Sequence, residues 1–174
     1  MDENDDNDSI VNRYWVELVE LKTGIYYHIR LRRRDNSWDI ATKIIPALVT
    51  SGGIIGWLVK NDFGFYWAIL IVLFHLISAV KHLFPFEIRR DKTFELIFEL
   101  SKIYLLLEKD WEKIMVGILT REDISKILFD AKKIIIDIEH KLLPAIIIPQ
   151  KKSLLEAAIE DANTYFSARY SDSQ

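Results

Sequence analysis

The sequence predicts an all-α membrane protein, with a two-helix transmembrane hairpin between an amphipathic N-terminal helix and a cytosolic C-terminal helical bundle. Two apolar runs, 44–59 and 65–80, are separated only by a short polar turn that contains a glycine. The segments on either side repeat apolar residues at the three- and four-residue steps of an amphipathic helix. The chain has 174 residues, of which 50% are hydrophobic and 28% are charged. This length suits one hairpin joined to one helical module.

The N-terminal part of the chain is predicted to contain a tail and a helix. Residues 1–9 are acidic and, apart from Met1, lack large side chains, so we predict a disordered acidic tail. An amphipathic helix is predicted for 10–36, and a polar break at 35–39 is expected to separate it from the hairpin. The apolar face of this helix comprises Val11, Tyr14, Leu18, Leu21, Ile25 and Ile29.

A basic cluster, formed by His28, Arg30, Arg32, Arg33 and Arg34, stands at the end of this helix. Next to a membrane, such a cluster attracts anionic lipid headgroups by roughly 1 kcal/mol per charge. We therefore predict that the four arginines contact lipid headgroups. A nucleic-acid patch is a competing interpretation, although no stacking aromatic residues alternate with the arginines. A basic helix end that is simply solvated is a third interpretation.

The hairpin is predicted for 38–86. As a helix, each apolar run would be roughly 24 Å long, which is shorter than the hydrocarbon core of a bilayer at about 30 Å. Flanking residues such as Lys43 and Lys60 can extend each span to the interface. Neither run has an amphipathic stripe, so each must be buried in lipid or in protein. A helix pair buried inside a soluble all-α domain therefore remains the alternative.

Small residues lie along one side of the first apolar run. Gly52 and Gly56 form a GxxxG pattern, and Ala47 and Ser51 repeat the same spacing. Such a stripe lets two helix backbones approach closely. We predict that it packs against the second run or against a neighbouring subunit.

The second apolar run contains an ionisable residue, His75, which shares a helix face with Ser78 and His82. Ionisable groups within a bilayer usually face a bundle interior or a water-filled path. These three residues are therefore the candidate pore lining. Alternatively, a neutral His75 imidazole forms a hydrogen bond with Thr50 or Ser51 of the partner helix.

Basic residues near the outer ends of the two runs set the expected topology. They precede the first run and follow the second, whereas the connecting turn has only Lys60, offset by Asp62. By the positive-inside rule, both termini are cytoplasmic. The expected location is the bacterial inner membrane.

The C-terminal bundle, 87–174, is predicted to contain three helices. The first covers 91–119, and its candidates for burial are Phe94, Ile97, Phe98, Tyr104, Leu105, Trp111 and Met115. Thr120 and Asp123 match a capping box that opens the second helix. The apolar stripe of the second helix is Ile124, Leu128, Ala131, Ile135, Ile138 and Leu142.

The last helix is predicted to open with a second capping box, formed by Ser153 and Glu156. The residues expected to face inward from it are Leu155, Ile159, Ala162 and Phe166.

No catalytic or metal-binding signature occurs in the sequence. It lacks a phosphate-binding lysine loop, a GxSxG elbow, an HExxH pair and a GxGxxG turn. Cysteine is absent, so cysteine-ligated metals, disulfides and thiol nucleophiles are excluded. We therefore predict a protein that is not an enzyme and that uses no cofactor and no metal.

The layout resembles the SLATT-type family of small two-span bacterial effectors. The resembling features are a helix with Tyr14, Tyr26 and Tyr27 before the arginine cluster, the hairpin, and the helices that follow it. The layout is also similar to the membrane accessory protein of type VI CRISPR systems. Either resemblance implies a homo-oligomeric pore that depolarises the bacterial inner membrane during antiviral defence.

The partners expected on this basis are the lipid bilayer, further copies of the chain, and a defence-system sensor protein or its nucleotide or RNA signal. Direct DNA binding is not expected. A non-conducting membrane adaptor, whose cytosolic bundle recruits a protein or RNA partner, is the alternative function. A soluble helical binding or nuclease domain is a third hypothesis.

Overall fold

The structure is a computed structural model that describes residues 3–59, 69, 72–73, 76, 86–143 and 151–170. Only the backbone is described for 3–7, 42–43, 45–59 and 86–89. Within these ranges the chain is all-helical, which confirms the all-α part of the predicted fold class. Its helices are α1 (Glu3–Val59), α2 (Phe86–Met115), α3 (Arg121–Leu142) and α4 (Lys152–Tyr170).

The chain divides into two compact units. The terminal unit comprises Met1–Arg32 and Lys92–Gln174, and the central unit comprises Arg33–Asp91. Among the residues that the structure describes, no helix combines the length and the apolar character needed to cross a bilayer. The second apolar run lies largely outside the described residues, so the transmembrane hairpin stays a prediction.

Helix α1 begins earlier than the sequence predicts. Its first residue is Glu3, so the prediction of a disordered tail over 1–9 is wrong from that residue onward. Acidic side chains close to a helix N-terminus stabilise it, because they interact favourably with the positive end of the helix dipole. The sequence is acidic over 1–9, a property that the prediction counted only as a barrier to burial.

The polar break predicted at 35–39 is also absent, because α1 continues through it. Asp35 and Asp39 are buried in the central unit rather than capping a helix end. Arg34 Nη2 donates to Asp35 Oδ1 over 3.2 Å, and Arg90 Nη1 donates to Asp39 Oδ2 over 3.4 Å. Asp competes with the helical backbone only when its side chain bonds to nearby backbone groups. Here arginines hold both carboxylates, so the helix persists.

Helix α2 ends four residues before the predicted end at 119, and Gly117 explains the difference. Gly117 has a φ of 72°, in the left-handed region that favours glycine. Its N–H donates to the Ile114 carbonyl over 2.9 Å, and the Ile118 N–H donates to the Lys113 carbonyl over 3.0 Å. These two bonds form a Schellman motif, which closes the helix.

The core of the terminal unit joins all four helices. Tyr14, Leu18 and Ile25 of α1 are buried, and Val11, Leu21 and Ile29 pack against the core, so the predicted apolar face of α1 is confirmed. On α3 the predicted stripe is likewise confirmed: its buried members are Ile124, Leu128, Ala131 and Leu142, with Ile135 and Ile138 partly buried.

The buried faces of α2 and α4 were predicted less well. On α2, Tyr104 and Trp111 are buried as expected, and Ile97 packs against the core. Burial was wrongly predicted for residues that are exposed, namely Phe94, Phe98, Leu105 and Met115 of α2 and Leu155 and Ile159 of α4. Apolar residues of α2 extend beyond its buried stripe, so apolar character alone does not mark the limits of its core face.

Helix α4 begins at Lys152, so Ser153 lies inside the helix and the predicted Ser153–Glu156 capping box is wrong. The N–H groups of Leu154 and Leu155 both donate to the Lys151 carbonyl. The Glu156 carboxylate pairs instead with Lys152, one turn earlier. Toward the core, α4 presents Ala158, Ala162 and Phe166, of which only the last two were predicted.

The capping box at the start of α3 is confirmed. The Asp123 N–H donates to Thr120 Oγ1 over 3.2 Å, and the Thr120 N–H donates to Asp123 Oδ2 over 3.1 Å. The two bonds satisfy backbone donors that the first turn of a helix leaves unpaired. The Thr120 hydroxyl also donates to Asp123 Oδ2 over 2.6 Å. This bond, together with the one from the Thr120 N–H, lowers the pKa of Asp123, because both favour the carboxylate form.

Thr120→Ala should lower the free energy of unfolding by about 1 kcal/mol, because it removes the N-cap acceptor. Thr164→Ala is the matched control, since Thr164 is exposed in the interior of α4. Thermal unfolding followed by circular dichroism measures both changes. Equal destabilisation by the two substitutions would contradict a specific role for the cap.

Candidate functional site

A buried carboxylate, Glu108 of α2, organises the polar interior of the terminal unit. Only 6% of this residue is exposed. Its Oε1 atom accepts hydrogen bonds from the hydroxyls of Tyr104, Tyr165 and Tyr170 at 3.1, 2.7 and 3.5 Å. Arg169 Nε lies 2.9 Å from the same oxygen. Burying a carboxylate costs several kcal/mol unless charged and hydrogen-bonding partners compensate it, and these four groups do so.

Lys22 brings α1 into this network. Its ammonium lies over the rings of Tyr165 and Tyr104, 3.8 and 4.1 Å from their centroids, in cation–π contact. Burial lowers the pKa of Lys22, and the nearby Glu108 charge partly opposes this effect. Burial, with a hydrogen bond to Tyr165 and the Glu108 charge, raises the pKa of Tyr104. The Tyr104 phenol therefore remains protonated and able to donate.

The terminal unit also contains an open pocket of about 330 Å³ between α1, α2 and α3, here called the helix pocket. Its apolar lining comprises Leu21, Leu100, Leu107, Leu128, Ala131, Ile135 and Ile136, and its polar lining comprises Glu17, Glu20, His28, Lys132 and Glu139. Gly24 completes the lining. A Cβ atom added at Gly24 would meet no atom within 4 Å, so this glycine faces open space.

His28 is the titratable group of the helix pocket whose pKa is strongly perturbed. Burial lowers the pKa of the imidazole to about 4, so the ring is neutral at pH 7. Within the described part of the chain, its Nδ1 atom is buried and has no hydrogen-bond partner. A buried nitrogen without a partner costs about 1–3 kcal/mol.

The helix pocket carries an excess of negative charge. The Lys132 ammonium forms an ion pair with the Glu17 carboxylate, which leaves that pair neutral. Glu20 and Glu139 also line the pocket, and neither forms an ion pair with a residue that the structure describes. Because His28 is neutral, no positive charge in the lining balances these two carboxylates.

The residues predicted from the sequence as pore lining, His75, Ser78 and His82, lie outside the described residues. The predicted packing stripe lies in the part of α1 for which only the backbone is described: Ala47, Ser51, Gly52 and Gly56. Their helical placement matches the prediction, and their contacts stay a prediction.

The arginines predicted to contact lipid headgroups have different environments. Arg30 donates through Nε and Nη2 to the two Asp161 oxygens, over 2.6 and 2.8 Å, which ties α1 to α4. Arg32 lies over the Phe94 ring, 4.5 Å from its centroid. Arg33 is exposed, and Arg34 pairs with Asp35 as described above. The headgroup role stays a prediction for all four.

Sequence reasoning did not identify the Glu108 network or the helix pocket. Glu108 follows Tyr104 by one helical turn, but its other partners lie at least 57 positions away. His28 was noted only as part of a basic helix end. The one local signal for the pocket was Gly24, which interrupts an otherwise regular amphipathic helix.

Comparison with protein-family models, with curated proteins and with solved structures produced no match. Among the described residues, no group of three acidic or histidine side chains is arranged to hold a metal ion.

Glu108→Ala should lower the free energy of unfolding by about 1–3 kcal/mol, because it leaves the buried Tyr104 hydroxyl without its acceptor, whereas Arg169 is half exposed and can be solvated. Glu112→Ala, one turn further along α2 at an exposed position, is the matched control and should change stability by less than about 0.5 kcal/mol. Thermal unfolding gives the melting temperatures of Glu108→Ala and Glu112→Ala for comparison. Similar melting temperatures for the two variants would show that the network does not stabilise the fold.

The lowered pKa of His28 predicts a specific pH dependence of stability. The unfolded chain takes up a proton near pH 6.5, whereas the folded chain does so only near pH 4. Protonation of His28 therefore does not affect the free energy of unfolding above pH 6.5. As the pH falls from 6.5 toward 4, the free energy of unfolding decreases by up to about 3 kcal/mol, because the unfolded chain binds the proton more readily. His28→Leu should remove this loss. Chemical unfolding of the wild-type chain and of His28→Leu between pH 4 and 7 measures the two free energies of unfolding. A difference between them that does not change with pH would refute the prediction.

Proposed function

We propose that this chain is a homo-oligomeric pore that permeabilises or depolarises the bacterial inner membrane as an antiphage effector. In this proposal 38–86 forms the transmembrane hairpin and the terminal unit lies on the cytoplasmic side. The family resemblance set out under Sequence analysis implies the same role. The charge distribution at the outer ends of the two apolar runs supports the orientation.

The observation that carries the proposal is a row of exposed apolar residues in the central unit. Ile69, Val72, Leu73 and Leu76 are 50 to 67% exposed. Their spacing of three, one and three residues places them on one face of a helix. A continuous apolar face of this kind needs lipid or another protein surface to cover it. The row falls within the second apolar run, where the sequence predicts a span.

Residues of α1 support the same interpretation. Trp38, Ile40 and Ile44 of the central unit are also exposed apolar side chains. Trp38 is the first residue of the predicted hairpin, six positions before the first apolar run, where an amphipathic indole ring suits the headgroup level.

A pore requires several copies, because one two-helix hairpin cannot enclose a water path. A closed ring of identical chains can do so. The face with His75, Ser78 and His82 would supply the polar lining that conduction needs. The small residues Gly52 and Gly56 would allow close packing between neighbouring helices.

The membrane adaptor remains a second candidate, and an exposed surface of α2 favours it. Phe94, Phe98, Leu105 and Leu106 are each more than half exposed. Apolar side chains of this size at a surface are typical of a site that a partner covers. Under this alternative the chain binds a protein or RNA partner and does not conduct.

Dye release from liposomes tests the pore. The full chain should release an encapsulated dye, and His75→Leu should decrease the release, because the lining loses a polar group. His140→Leu is the matched control, since His140 is exposed on α3 and outside the predicted spans. Equal release by His75→Leu and the wild-type chain would remove His75 from the lining.

Particle images of the detergent-extracted chain test the assembly. Rings are expected for the pore. A uniform population of monomers with no dye release would refute it, and capture of a partner by such monomers would favour the adaptor.

A further inference from the structure

We propose that the helix pocket is a binding site for a small organic cation with an apolar body, an aromatic amine being the simplest example. The site belongs to the terminal unit alone and is independent of pore formation. It rests on the volume, lining and charge of the pocket.

The dimensions and lining of the pocket suit a small molecule. Its volume of about 330 Å³ lies within the range of known ligand pockets, about 300–1,000 Å³. Such sites combine mostly apolar walls with a few polar groups, and this pocket does the same. Leucine and isoleucine side chains from α1, α2 and α3 supply the walls, which favours an aromatic or aliphatic body over a sugar or a nucleotide phosphate.

The charge of the lining selects a cation. Glu20 of α1 and Glu139 of α3 both line the pocket, whereas the Lys132 charge is already satisfied by Glu17. An ammonium group beside either of the first two carboxylates would gain favourable electrostatic energy, and an anionic group would be repelled. His28 is neutral at pH 7, so it neither repels a cation nor attracts an anion.

Gly24 keeps one wall of the pocket open. Glycine is unfavourable in a helix interior, and a side chain here would meet no neighbour within 4 Å. Packing between helices therefore does not require glycine at this position. The effect of Gly24 on the structure is the additional space at the pocket, so a larger residue at this position tests the site directly.

A series of three indole compounds tests the proposal. Tryptamine is the cation, indole is its neutral analogue, and indole-3-acetate is the anion. Binding to the full chain in detergent micelles is measured by titration calorimetry, with empty micelles as the blank. We expect tryptamine to bind about tenfold more tightly than indole, and indole-3-acetate to bind more weakly than either.

Two outcomes of this titration would overturn the proposal. One is the absence of tryptamine binding at concentrations up to about 1 mM, which is weak affinity even for a small ligand. The other is binding of indole-3-acetate as tight as that of tryptamine, which would refute the selection by charge.

Substitutions locate the site. Gly24→Leu should fill the pocket and abolish binding of tryptamine and indole, while the helix is retained because leucine is a better helix former than glycine. The double substitution of Glu20→Gln and Glu139→Gln should weaken tryptamine binding about tenfold and leave indole binding unchanged. Glu112→Gln, at an exposed position of α2 outside the pocket, is the control. Unchanged tryptamine affinity in Gly24→Leu would refute the site.

The binding test and the dye-release test separate the two proposals. A chain that binds tryptamine but releases no dye has the ligand site without the pore. A chain that releases dye but binds no tryptamine has the pore without the ligand site, and the inference drawn from the helix pocket then fails.

Discussion

The burial of one carboxylate, that of Glu108, constrains the arrangement of the terminal unit. A carboxylate that is 6% exposed must be compensated by nearby donors and charges. Helix α2 supplies one donor, Tyr104, whereas Tyr165 and Arg169 come from α4. The position of α4 against α2 is therefore fixed by the requirement to bring its donors to a single oxygen atom. Lys22 of α1 then covers two of the tyrosine rings, so the same group also orients α1.

Helix α1 is tied by polar contacts to each of the other helices of the terminal unit. The Tyr14 hydroxyl donates to the Leu107 carbonyl of α2 over 2.8 Å, and burial, with the nearby Asp110 charge, raises the pKa of this phenol. Glu17 pairs with Lys132 of α3, and Arg30 pairs with Asp161 of α4. Apolar burial supplies most of the stability in such a bundle, but it is non-directional. These directional contacts determine which helix faces meet.

The parts of the fold that sequence could predict are those decided by neighbours in the chain. The Thr120–Asp123 cap and the stripe of α3 depend on contacts within a few residues, and both were predicted correctly. The exposed Phe94 of α2 was not, because apolar residues flank the core-facing stripe of this helix and the pattern does not show where the stripe ends. Asp39 was misread as part of a helix break, because its partner, Arg90, lies 51 positions away in the chain. The Glu108 network and the helix pocket depend on tertiary contacts and had no local signature.

The carboxylates of the terminal unit differ in whether neighbouring groups neutralise their negative charge. Glu108 is surrounded by donors, and its charge is used entirely within the fold. Glu17 is likewise neutralised by Lys132. Glu20 and Glu139 have no such partner among the described residues, and they lie beside apolar walls that Gly24 leaves uncovered. Water screens their charge while the pocket is empty, but a ligand that displaces this water strengthens each electrostatic interaction within the pocket. The proposed preference for a cation therefore rests on two exposed carboxylates to which the described part of the fold supplies no counter-charge, whereas the Glu108 charge is compensated within the core.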